Sequence, residues 1–120
     1  MPDDGMVQVG IARIQECLGR RDEALARLRR TADTKPSTGV FQWLGLLEGA
    51  MGRSPEAGAA LRKAVQLGPL NSEAHSALGL WYESVGDRTA AIAEYKRTVE
   101  LNQYNPEART GLLRLTGKSR

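Results

Sequence analysis

Between residues 72 and 102 the apolar positions recur with the period of an α-helix, and the pattern breaks once. Ala74, Leu78, Trp81, Tyr82 and Val85 fall on one stripe; Ile92, Tyr95 and Val99, with Leu101 a step away, form a second. Gly86 can take the left-handed conformation that stops the first helix. Asp87 can cap the second by accepting from its unpaired backbone N–H groups. Two amphipathic helices this short cannot bury both faces against each other alone, so the pattern requires neighbours.

The chain supplies them. Gly45 and Gly79, each after a leucine (Leu44, Leu78), stand 34 residues apart, as do Gly52 and Gly86, Ala57 and Ala91, Leu61 and Tyr95, and Val65 and Val99. Gly19, Ala24 and Leu28 match Gly52, Ala57 and Leu61 at a spacing of 33, so the first copy is one residue shorter, in the loop around Pro36–Thr38. The reading is three copies of one helix pair, with helices at about 5–18, 21–34, 39–51, 55–67, 72–85 and 88–101. Ser54-Pro55-Glu56 reads as a helix start with Ser54 as the cap, and Gly19, Gly52, Gly68 and Gly86 sit where helices should stop. Small residues at Gly45, Gly79, Ala57 and Ala91 let the paired helices approach, while Leu44, Leu78, Leu61 and Tyr95 fill the space beside them. Asn105-Pro106-Glu107 starts a seventh helix, about 106–116, whose Ala108, Leu112 and Leu115 would cover the open end of the array. Residues 117–120 are expected to be loose.

This register resembles the tetratricopeptide repeat (TPR), a helix–turn–helix unit of 34 residues, over roughly residues 5–105. The third unit carries it best, in His75, Leu78, Gly79, Tyr82, Gly86, Ala91, Tyr95 and Thr98. The second gives Phe41, Leu44, Gly45, Glu48, Gly52, Ala57, Leu61, Ala64 and Pro69. The first is weaker: Gln8, Ile11, Ala12, Gln15, Gly19, Ala24, Leu28, Thr31 and Pro36. His75, Glu48 and Thr98 depart from the usual Trp, Tyr and Ala and put local packing in question. The resemblance implies an all-α, right-handed α-solenoid: a single domain over 1–120 with units at about 5–37, 38–71 and 72–105 and a capping helix.

Composition narrows the function. The length of 120 residues is one domain's worth, and the apolar fraction of 41% is ordinary. The net charge of +3 is matched by residues 107–120 on their own, so the body is near neutral and lacks the footprint of a nucleic-acid binder. Arginine outnumbers lysine, a hint of a GC-rich bacterial source. There is no apolar run of membrane-spanning length and no signal-peptide pattern at the start, so a cytoplasmic protein that does not engage a membrane is expected.

Candidate chemistry is sparse. His75, the one histidine, has no second histidine or cysteine pair to join it, and its register turns it toward the partner helix, so a structural role is expected. Cys17 reads as a small packing residue, although Arg20-Arg21 nearby would favour a thiolate. The pairs Arg29-Arg30, Arg62-Lys63 and Lys96-Arg97 recur on the second helices and read as a solvated outer face diluted by glutamates. No phosphate-binding glycine run, catalytic triad or metal-ligand spacing occurs. The chain is expected to be no enzyme and to need no cofactor.

The resemblance implies instead a groove along the first helices that holds a peptide or helix. Carried over by register, its lining is Met6, Val9, Arg13 and Glu16; then Gly39, Gln42, Trp43, Leu46 and Gly49; then Glu73, Ser76, Leu80 and Glu83; and finally Thr110 and Arg114. Some family members clamp acidic C-termini of heat-shock chaperones with Lys, Asn and Arg. The matching positions here are Val9, Arg13, Trp43, Glu73 and Ala77, and four of the five lack the donor. An apolar strip of Val9, Trp43, Leu46 and Leu80 suits an amphipathic segment, with Trp43 and Arg13 as hot spots; Trp43 packing between first helices is the competing reading. Trp81 faces the neighbouring unit as core. The expected function is a protein–protein interaction module. The alternatives are a docking domain of a larger multidomain protein and a self-associating module whose last helix stacks on the first unit of another copy.

Overall fold

The structure is a computed structural model that describes residues 5–117 of the chain. Among the described residues seven helices follow one another: α1 (Gly5–Cys17), α2 (Arg21–Thr34), α3 (Thr38–Ala50), α4 (Ser54–Leu67), α5 (Ser72–Ser84), α6 (Arg88–Leu101) and α7 (Pro106–Thr116). Each lies within a residue of the span its apolar period predicts. The helices pair as α1–α2, α3–α4 and α5–α6. The first helices α1, α3, α5 and α7 also touch one another in a row, while α2, α4 and α6 each pack against the following first helix. The product is an elongated all-α helical repeat, 43 × 27 × 22 Å.

The boundaries follow from local chemistry. Gly52 and Gly86 adopt φ of 78° and 84° between paired helices, the left-handed region that costs glycine least. Asn71, Asp87 and Asn105 each accept a hydrogen bond from the backbone N–H three residues on. Two details differ from expectation. Ser54 does not cap α4; it lies inside the helix, and its carbonyl and hydroxyl oxygens accept from the Trp81 indole N–H at 2.8 and 3.2 Å. Gly117 belongs to the fold rather than to a loose tail, ending α7 in a left-handed turn whose N–H donates to the Leu113 carbonyl at 2.8 Å. Residues 118–120 lie outside the described residues.

The close approaches predicted at the small residues are present. A Cβ on Gly45 would stand 2.6 Å from Leu61 Cγ, and one on Gly79 would stand 2.8 Å from Tyr95 Cε1. Tyr95 is fully buried and presses its other edge on Gly111 of α7, so one ring joins the last pair to the final helix. The three departures from the family pattern are each accommodated. Glu48, nearly buried, pairs with Arg29 at 3.2 Å. Thr98 turns its hydroxyl to the Glu94 carbonyl at 2.9 Å. His75 Nε2 donates to the Pro69 carbonyl at 2.7 Å, and its Nδ1 lies 2.7 Å from the Glu94 carboxylate. Both ring nitrogens are therefore occupied in holding α5 to α6 and to the preceding loop. Cys17 corrects its expectation: it is exposed on the last turn of α1 and fills no core space.

Candidate binding cleft

A cleft of about 250 Å³ opens across α3, α5 and α7. The helical period brings its apolar floor together: Trp43 and Leu46 stand three residues apart on α3, and Ala77 and Leu80 three apart on α5. Gln42 and Ser76 add polar edges, and the start of α7 contributes Asn105 and Glu107. Leu80 is 42% exposed, the most open of the apolar groups in this floor. A recess of about 350 Å³ continues from Leu80 and Glu107 past Thr110 to Arg114. Another, about 610 Å³, continues from Glu73, Asn105 and Glu107 toward Asn71 and Asn102.

The expected lining divides when set on this geometry. Gln42, Trp43, Leu46, Ser76 and Leu80 line the main cleft, and Arg114 and Thr110 line its extension. Val9 does not line it: at 2% exposure it packs into the first core cluster with Ala12, Leu28, Val40 and Leu44. The register placed Val9 on a groove-facing position, but α1 leans on α3 there and the side chain is consumed by packing. Arg13 sits beside the cleft rather than in it, its guanidinium 4.1 Å from the centre of the Trp43 ring and its flank in a separate recess with Ile14, Cys17 and Leu18. Met6 lies over Gly39.

Glu83 is engaged by its own fold. Both carboxylate oxygens accept from Arg114 at 2.7 Å, and Oε1 also accepts from the Tyr95 hydroxyl at 2.9 Å. The Arg114 guanidinium holds the Glu83 carboxyl below its ordinary value, against the opposing pull of burial. Burial and the adjacent Glu83 carboxylate push the Tyr95 hydroxyl up. Trp43 is half-buried against the first core cluster and also lines the cleft.

Asn105 and Glu107 were not anticipated in the lining. A signal existed: Glu107 follows Glu73 by 34 residues and Asn105 follows Asn71 by 34, so the same repeat position supplies both carboxylates. They stand in the first turns of α7 and α5, where the helix dipole favours an anion.

An all-α array of helix pairs whose first helices share an open, partly apolar cleft defines a helical-repeat protein. This chain carries the tetratricopeptide repeat: residues 74–107 match the family model described as "Tetratricopeptide repeat", and the helix pairs before them adopt the same fold among the described residues. A solved structure titled "First TPR of Spaghetti (RPAP3) bound to HSP90 peptide SRMEEVD" superposes with a TM-score of 0.88 at 19% identity, over 98% of this chain and 94% of that one. The crystal structure of MamA superposes with a TM-score of 0.84 at 20% identity, over 97% and 68% of the two chains. In sequence, the chain is similar to "Probable biofilm formation methyltransferase WspC" of Pseudomonas aeruginosa, 37% identical over 81 residues. That match takes in 68% of this chain and 19% of WspC, so the chain spans about a fifth of the curated relative's length. Among the described residues, no helix is long and apolar enough to cross a membrane.

Proposed function

We propose that the chain is a protein–protein interaction module that holds a short segment of a partner in the cleft across α3, α5 and α7 and carries out no chemistry itself. The observation that carries this reading is the open apolar floor of Trp43, Leu46 and Leu80 between polar edges, on the row of first helices. Exposed apolar groups gathered in a concavity with few polar groups around them are the usual make-up of a site that anchors a peptide. A neighbour of the same fold holds an HSP90 peptide, which supports a peptide as the class of ligand. The basic pairs of the second helices are exposed, and each has one member engaged by the fold: Arg29 with Glu48, Arg62 over the Trp81 ring at 5.2 Å, and Arg97 with Glu100 at 3.2 Å. They therefore make a poor phosphate ladder, and no nucleic-acid partner is assigned.

The test is to exchange Leu80 for glutamine and compare capture of cellular partners by the two proteins, with thermal melting as the control. Loss of specific partners at an unchanged melting temperature supports the reading; identical partner sets contradict it. The similarity to part of a methyltransferase favours a second form of the same reading, in which this unit docks partners for a larger multidomain protein. Mapping the transcript and its open reading frame tests that form.

A further inference from the structure

The charges around the cleft are unequally available. Arg114 is bound by both oxygens of Glu83, and Arg13 lies on the face of Trp43, outside the main cleft. Glu73 and Glu107 line the cleft, are exposed, and have no ion-pair partner among the described residues. Two carboxylates from successive copies of one repeat position thus converge on one concavity, beside the apolar floor. The helix dipole accounts for an acid at each first turn. It does not account for the absence of a cation between them.

We infer that the cleft recognises a basic, amphipathic segment: an apolar side chain seated on Trp43, Leu46 and Leu80, and an adjoining Lys or Arg placed between Glu73 and Glu107. This rests on the proposed function and gives its ligand a chemistry. Charge complementarity selects the occupant, because a cation between two like charges relieves their repulsion as it gains both attractions. An acidic segment meets the opposite condition. The carboxylates repel it, and the arginines that would receive it are already held by Glu83 and by the Trp43 ring. The preference is therefore the reverse of one for an acidic peptide tail.

Selection of a phage-displayed library of random peptides on the immobilised protein tests this. Parallel selections use Leu80→Gln and the double variant Glu73→Gln/Glu107→Gln, each checked by circular dichroism and melting. The expected result is enrichment of peptides carrying Lys or Arg next to an apolar residue, loss of enrichment on Leu80→Gln, and affinities for the double variant weaker by about tenfold. Binding of the enriched peptides should also weaken with salt. Enrichment of neutral or acidic peptides, or unchanged affinity in the double variant, overturns the inference and leaves the groove reading standing. No enrichment, or equal enrichment on Leu80→Gln, overturns both.

Discussion

Trp81 seats its ring in the notch that Gly58 leaves on α4: a Cβ at position 58 would lie 2.3 Å from Trp81 Cζ2. The same indole donates to the Ser54 carbonyl, so one side chain ties the third unit to the second by packing and by a directed bond. Gly58→Ala gains helix propensity of up to about 1 kcal/mol. The ring is tethered by its bonds to Ser54, so overpacking prevails, and a net loss of about 1–2 kcal/mol is expected. Trp81→Ala should cost about 3 kcal/mol, at the low end for a tryptophan because the ring is only half-buried. Denaturant melts of the two single variants and the double variant check this. The double variant should lose less than the sum, since the alanine at 58 no longer meets a ring.

His75→Ala should destabilise the protein by about 1–3 kcal/mol, because it strands the Pro69 carbonyl and removes a contact with Glu94 in a nearly buried setting. A histidine that did not contribute to stability would leave the melting temperature unchanged on removal. Thermal unfolding distinguishes the two.

Glu83 makes stability depend on pH in a defined direction. Its folded value lies below the ordinary one, so its contribution is complete above the unfolded value, about 4.3, and fades as pH falls through the folded value. Wild type should therefore exceed Glu83→Gln in stability at neutral pH, and the gap should close on acidification below that point. Urea titrations of both proteins at neutral and acid pH give the comparison. A gap that stays constant would place the effect in packing rather than in the carboxylate's charge.

The helices and their pairing were legible because the 34-residue register repeats Leu-Gly, Gly and Ala at fixed places, and each copy confirms the others. The close contacts Gly45–Leu61 and Gly79–Tyr95 followed from the same register. Gly58 and Gly111 did not, since each answers one large ring, Trp81 or Tyr95, and recurs in no other copy. The cleft was partly legible. The register of the resembled family placed Trp43, Leu46, Ser76 and Leu80 along it. Burial of Val9 depends on how α1 leans against α3, and the engagement of Glu83 depends on a residue 31 positions away. Glu107 was within reach of the register, but the family register carries only Thr110 and Arg114 of the last helix into the groove.

Leu80 is exposed and makes little of the core, so Leu80→Gln should change stability by no more than about 0.5 kcal/mol. Trp43 offers a less clean test, because it packs on the first core cluster and its loss would lower stability as well. Calorimetric titration of a selected peptide into wild type and Leu80→Gln tests the central claim most directly. Loss of about 1.5 kcal/mol of apolar contact predicts binding weaker by about tenfold or more, with matching melting curves. Equal affinities for the two proteins would contradict the placement of the partner in this cleft.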